Sequence, residues 1–383
     1  MEPCGLLLFL HVPKSGGTSA IAALKHVLAF NHSAPRHNPV LYAAFLASHA
    51  SVLAPQAFKR YWPLLVQAHP ECRRHTSLIK LALRNNIATS LTVIERSDCV
   101  RQARFDWRHA RHFMDFHDPH ELAAFKEHLL PRLPALRARY RAAGCSFRVG
   151  TLLREPRAAM LSHFNYFHLP LRFGETRLSL QVQARALRAW LVPGRGNMQT
   201  AWLTRLGACF EPARNAGGRL EDVFQCNLNA SACASFGGAA AEERSFVHAS
   251  LGQFDVVGTT EHAAQAVWAL AAGVGIGWST PPAAASDAKA ADGAAETRHE
   301  QPSGLPRCNQ ARRGNLLSVG SLTSTAPDLY HELGERTRCD QVLYDQAARA
   351  MATTLRVSPD ESMGGSREYL WVICPPQHSV PRG

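Results

Sequence analysis

The chain has 383 residues, of which 46% are hydrophobic and 19% charged, a balance that excludes a mostly disordered protein. Its 26 glycines and 23 prolines follow no collagen-like or low-complexity pattern overall. With 42 Lys and Arg against 30 Asp and Glu the net charge is +12, so the surface should attract an anion: nucleic acid, anionic lipid, a phosphorylated cofactor or an acidic polysaccharide.

The length suits one large α/β domain with insertions. Its first element is the apolar run within Gly5 to Leu10, which reads as a buried strand. It falls short of the roughly 18 to 20 residues that span a bilayer, and it lacks the basic flank of a signal peptide. Pro13-Lys14-Ser15-Gly16-Gly17 follows, then a helix from Thr18 to Phe30 with Ile21, Leu24 and Leu28 at helical spacing. This is the opening of a βαβ unit. Residues 31 to 86 are rich in His and Pro with short helical stretches, and Leu91 to Ile94 reads as a second strand. Asp118 to Ala143 reads as a long basic helix, interrupted near Pro131 and Pro134 and stopped by Gly144. Phe147 to Leu153 is the third strand. It runs into Arg154-Glu155-Pro156, where the proline opens a helix from Arg157 to Phe167.

Residues 170 to 250 read as an irregular insertion carrying substrate-facing loops. Phe254 to Gly258 is a fourth strand, followed by a helix from Glu261 to Ala272. The segment 279–304 is Ala-rich, of low complexity, and reads as a disordered linker. The last helix, Arg338 to Met351, has an apolar face of Leu343, Ala347, Ala350 and Met351. The expected organisation is therefore an α/β domain over 1–272 with its insertion at 170–250, the linker, and a helical part at 305–383 packed on the same domain. Alternating strands and helices favour a three-layer architecture, a parallel sheet with helices on both faces. None of the ten cysteines forms a CxxC pair. Cys226 and Cys233 flank a loop that a disulfide could close. Asn229-Ala230-Ser231 within it, and Asn31-His32-Ser33, are glycosylation sequons.

Strand, glycine loop and helix form an anion-binding geometry. Glycines let successive N–H groups turn inward, the helix start adds partial positive charge, and Lys14 adds a full one. The lysine precedes the glycines, which is the wrong order for GxxxxGK[ST], and GxGxxG is absent as well. A nucleoside triphosphatase or a dinucleotide enzyme is disfavoured by that spacing.

His11-Val12-Pro13-Lys14-Ser15-Gly16-Gly17-Thr18-Ser19 resembles the 5′-phosphosulfate loop of sulfotransferases, written PK[ST]GGT[ST] in that family. It is most similar to the Golgi carbohydrate enzymes related to heparan sulfate 2-O- and 6-O-sulfotransferases. Thr151-Leu152-Leu153-Arg154-Glu155-Pro156, followed by Ser162-His163-Phe164-Asn165-Tyr166, resembles the family's 3′-phosphate motif, LR[DE]P, five residues, then S and H[FY]xY. An arginine fork and a serine hydroxyl both suit phosphate oxygens. Phe254 to Glu261 echoes the family's VGxTE segment. The resemblance covers 6–30, 145–170, 254–272 and the final helix. It implies a P-loop-like sulfotransferase fold and 3′-phosphoadenosine 5′-phosphosulfate (PAPS) as co-substrate. Lys14, Ser15, Gly16, Gly17, Thr18, Ser19, Arg154 and Ser162 would bind PAPS, Lys14 also serving the leaving oxygen. It further implies transfer of the sulfuryl group to a carbohydrate hydroxyl, with no metal required.

The same resemblance implies a His or Glu base, at the end of a strand or in the loop after it, between the two phosphate motifs. Glu95, His109, His112 and His117 are the candidates, and His112 is preferred because the aromatic stretch Phe105 to Phe113 can hold a histidine neutral. Asp106, His109 and His112 also share a helical spacing that a metal could use, but no cysteine or fourth ligand joins them. Arg101, Arg104, Arg108 and Arg111, with Arg132, Arg137, Arg139 and Arg141, suit an anionic polysaccharide as acceptor. No helix-turn-helix, RRM or zinc-finger signature points to nucleic acid. The family implies the Golgi lumen, with membrane association through an upstream anchor; a chain complete as given would be cytoplasmic. The alternative is a non-catalytic nucleotide- or glycan-binding protein that keeps the fold.

Overall fold

The computed structural model describes residues 4–28, 31–33, 39–53, 58–85, 95, 97–102, 105, 107–108, 110–116, 122, 125–169, 178–191, 195–203, 208–209, 226–227, 240–274 and 316–356. In chain order its first half contains β1 (Gly5–Leu10), α1 (Gly17–Leu28), β2 (Asn31–Ser33), α2 (Pro39–Ser48), α3 (Phe58–Ala68), α4 (Thr76–Asn85) and α5 (Asp98–Gln102). Then come β3 (Arg111–Phe116), α6 (Leu133–Ala142), β4 (Ser146–Leu153), α7 (Pro156–His163), α8 (Leu180–Leu191) and α9 (Met198–Leu203). A two-residue pair, β5 (Ala208–Cys209) and β6 (Cys226–Asn227), precedes α10 (Ala240–Leu251), β7 (Val256–Thr259), α11 (Ala263–Gly273), α12 (Val319–Thr325), α13 (Pro327–Arg336) and α14 (Arg338–Arg356).

Five strands form one sheet in the order β2-β3-β1-β4-β7, with every neighbouring pair parallel. Parallel strands covered on both faces read as unbroken apolar runs, and in β1 Leu6, Leu7, Leu8, Phe9 and Leu10 are all fully buried. Alternation splits them. Leu6, Leu8 and Leu10 join the core with α2, α6 and α14, while Leu7 and Phe9 pack against α1 and α11. Each such side chain contributes about 1.5 to 3 kcal/mol by leaving water. The result is the three-layer α/β architecture. A third apolar cluster joins α7, α8, α12 and α13 beside the sheet.

Several local expectations shift. α1 ends at Leu28, β4 begins at Ser146, and β7 starts two residues later and ends one residue later than the apolar run suggested. The long basic helix is broken up over its described part. A π-helical turn at Phe125–Leu129 and a 3-10 turn at Leu130–Arg132 precede α6, with Pro131 and Pro134 at the starts of the last two. Gly144 sits at φ +73° just beyond α6, a left-handed stop. The helix after Arg154 converts at Phe164 into a π-helical turn reaching His168. The stretch 170–250 is not simply irregular, because α8, α9 and part of α10 fall within it. In α14, Leu343, Ala347 and Met351 are buried as an inward face, but Ala350 is exposed. The helices after residue 316 pack back on the body, α14 against β7, α9 and α10. The strand read at Leu91 to Ile94 and the linker at 279–304 lie outside the described residues. β3 occupies a stretch read as a base-bearing segment.

Disulfides join Cys4 to Cys145 and Cys72 to Cys99. Cys339 is also disulfide-bonded, and no cysteine is free among the described residues. Cys233 lies outside the described residues, so the Cys226–Cys233 pairing does as well.

Candidate functional site

The sheet order contains a switch point. From β1 the chain moves to β2 and β3 on one side, whereas β4 and β7 lie on the other. Open α/β sheets bind ligands in the crevice outside the carboxyl ends of strands at such a point. The two resembling motifs leave the sheet there, the glycine loop after Leu10 of β1 and Arg154 after Leu153 of β4. The Thr151 hydroxyl donates to the Leu10 carbonyl at 2.7 Å, and the Thr260 hydroxyl donates to the Leu153 carbonyl at 3.0 Å, so three strand ends are tied together.

The loop is tight. Lys14 has φ +64° and Gly16 φ +75°. For lysine this left-handed conformation costs about 1 to 2 kcal/mol, and the Arg154 guanidinium, donating to the Lys14 carbonyl at 3.2 Å, helps hold it. A Cβ on Gly17 would collide with the His11 ring, so the helix can start against β1 only with glycine there. The first turn of α1 carries Thr18 and Ser19, and the amides of Ser19 and Ala20 each donate to the Gly16 carbonyl at 3.1 Å. Ser15 departs from its expected role. Its side chain is fully buried, and its hydroxyl donates to Gln199 Oε1 at 3.2 Å, away from the cleft.

Lys14, Arg154, Ser162, Asn165 and Tyr166 line one open cleft of about 420 Å³, closed on its far side by Leu316 to Gly320. Lys14 Nζ stands 3.7 Å from the centre of the Tyr166 ring. Glu155 caps α7 by accepting from the Arg157 and Ala158 amides, which fixes the turn after Arg154. Asn165 Nδ2 donates to the Leu317 carbonyl at 2.7 Å and anchors the far wall. Two cations therefore share one cleft. Burial first, and the Arg154 charge second, lower the Lys14 ammonium to about 8. Burial also lowers Arg154, opposed by Glu261 and Glu155.

A pH dependence follows. Lys14 is charged below about pH 8 and neutral above it, so an anion held by that charge binds tightly at neutral pH. Its affinity should fall by up to about tenfold per pH unit beyond that point. Calorimetric titration with adenosine 3′,5′-bisphosphate from about pH 7 to about pH 9.5 measures it, and a flat profile would remove Lys14 from the contact.

Neither described base candidate, His112 nor Glu95, lines this cleft. His112 is buried near the start of β3, opposite Leu6, and stacks on Phe105 at 4.0 Å. Leu10 lies four positions further along β1, about 13 Å at strand rise. The preference for His112 is thus corrected: the strand turns it into the core at the wrong end of the sheet. The helical spacing of Asp106, His109 and His112 fails too, since His112 is on a strand. Glu95 is ion-paired with Arg139 at 2.9 Å and accepts the Ser51 amide, which gives it a structural role away from the loop. His109, His117 and Asp106 lie outside the described residues.

Two of the acceptor arginines have other duties, Arg139 with Glu95 and Arg137 with Asp255 at 3.0 Å. Arg111 opens β3 and Arg141 lies shortly before β4, so both belong to the strand starts and not to the carboxyl ends where the cleft lies. Three features of the site had no role in the sequence reading: Gln199, Asp340 and the rim at Leu316 to Gly320. Burial raises the Asp340 carboxyl to about 6, against hydrogen bonds from Thr200, Gln199 and Met198 that lower it. No family model matches the chain, and neither a curated protein nor a solved structure does.

Proposed function

We propose that the chain is a sulfotransferase of P-loop-like fold that moves the sulfuryl group of PAPS to a hydroxyl of a carbohydrate. One observation carries the reading. Lys14 and Arg154, from two motifs 140 residues apart, meet with Ser162 around one cleft at the switch point of the sheet. Two cations held side by side there are relieved by a ligand with two anionic groups.

In the proposed reaction the acceptor oxygen attacks sulfur in line with the bond to the 5′-phosphate. A new O–S bond forms as the old S–O bond breaks, adenosine 3′,5′-bisphosphate departs, and the hydroxyl proton passes to a base. Lys14, still charged at neutral pH, offsets charge growing on the departing oxygen. Arg154 and Ser162 hold the 3′-phosphate. For the base the reading turns to His109 and His117, and His117 follows Phe116, the last residue of β3 on the loop's edge of the sheet. The acceptor is an anionic polysaccharide. The disulfides support an oxidising compartment such as the Golgi lumen. Among the described residues no helix is long and apolar enough to cross a membrane.

The non-catalytic alternative draws on one fact, that neither described base candidate lines the cleft. Radiolabelled PAPS incubated with a panel of sulfated and uronic-acid polysaccharides separates the two. Incorporated sulfate is the expected result; tight nucleotide binding with no transfer to any polysaccharide would favour the alternative.

A further inference from the structure

We infer that Gln199 is a positioning residue that sets the spacing between the Lys14 loop and the Arg154 strand end, and that Asp340 holds Gln199 in place. The inference rests on the nucleotide-site reading above and names what keeps the two halves of that site in register.

Gln199 is buried, and its side-chain amide makes hydrogen bonds to both halves. Oε1 accepts from the Arg154 amide at 2.9 Å and from the Ser15 hydroxyl at 3.2 Å, while Nε2 donates to the Arg154 carbonyl at 2.8 Å. Ser15 and Arg154 belong to different strand ends, and Gln199 lies 45 residues beyond Arg154. A single side chain therefore spans the join between the two motifs. Its own backbone is fixed from behind. The buried Asp340 carboxylate accepts the amides of Gln199 at 3.1 Å and Thr200 at 2.7 Å. Asp340 is held in turn by Asn197, whose Oδ1 accepts the Cys339 amide at 2.9 Å and the Asp340 amide at 3.4 Å. The cavity beside Gln199 and Trp202 measures only about 10 Å³, so the amide has little room to turn elsewhere.

A ligand carrying both a 5′- and a 3′-anionic group must meet both halves at once, and is sensitive to their separation. A ligand with one anionic group meets one half and is not. Adenosine 3′,5′-bisphosphate and adenosine 5′-monophosphate are therefore titrated into wild type and Gln199→Met, which keeps the side chain's bulk and removes its hydrogen bonds. The expected result is a loss of about 30-fold for the bisphosphate with less than about twofold for the monophosphate. Equal losses for both nucleotides, or no loss for either, overturn the inference and leave the nucleotide site standing. Wild type binding neither nucleotide overturns the site reading and this inference together. Should Gln199→Met not fold, Asp340→Asn is read by the same ratio, because it keeps one acceptor and sets an amino group against the other amide. A fall in the ratio supports the inference, and an unchanged ratio rejects it.

Discussion

Lys14→Ala is expected to abolish the heat stabilisation that adenosine 3′,5′-bisphosphate gives the wild-type protein and to weaken its binding about 100-fold. The size comes from the environment. A charged hydrogen bond in a partly desolvated cleft is stronger than one in water, and Lys14 is the one cation of its loop, half-buried beside Arg154. The variant should fold as well as the parent or slightly better. Removing the ammonium ends a like-charge repulsion, and alanine adopts the same left-handed backbone at similar cost. Loss of ligand stabilisation with an undiminished melting temperature would mark Lys14 as a residue kept for binding. Arg154→Ala should weaken binding comparably but also lower the melting temperature, because the guanidinium holds the Lys14 carbonyl. Differential scanning calorimetry with and without the bisphosphate measures both. A Lys14→Ala protein stabilised as strongly as wild type would remove the site from this cleft.

Replacing Cys4 and Cys145 together by serine should lower the unfolding free energy by about 3 to 5 kcal/mol. The bond closes a loop of 141 residues, and cross-links across long loops restrict the unfolded chain most. It also joins the starts of β1 and β4, where the Ser146 amide donates to the Cys4 carbonyl at 3.1 Å. Nucleotide affinity at low temperature should hardly change, since Lys14 and Arg154 leave the other ends of those strands. Urea denaturation of the oxidised proteins tests it, and equal midpoints for variant and parent would assign the bond no role in stability.

What was legible in the sequence was local. β1, the loop and the start of α1 form one continuous signal, as do β4, Arg154 and Pro156, because each motif's residues are neighbours in the chain. β3 was misread because Arg111, His112 and Asp115 interrupt its apolar residues, so the segment carries no clean alternation. That error carried the base with it: a histidine in aromatic company was buried packing at the far end of the sheet. α8 had a usable signal, Leu180, Ala184, Leu187 and Leu191 at helical spacing, which the glycine- and cysteine-rich surroundings obscured. Gln199 and Asp340 had none. They meet the site across 45 and 140 or more residues, and a lone Gln or Asp announces nothing at that range. The disulfide pairs were equally hidden, since spacing alone does not choose partners.

A lysine lowered to about 8 is, at neutral pH, an amine of which roughly a tenth is unprotonated, against less than about a thousandth for an ordinary lysine. Unless an anion is bound, the cleft therefore presents a nucleophile beside the Tyr166 ring, open to carbamoylation or acylation by any small electrophile that enters. An anion in the cleft, by restoring the proton, would shield the same nitrogen from damage.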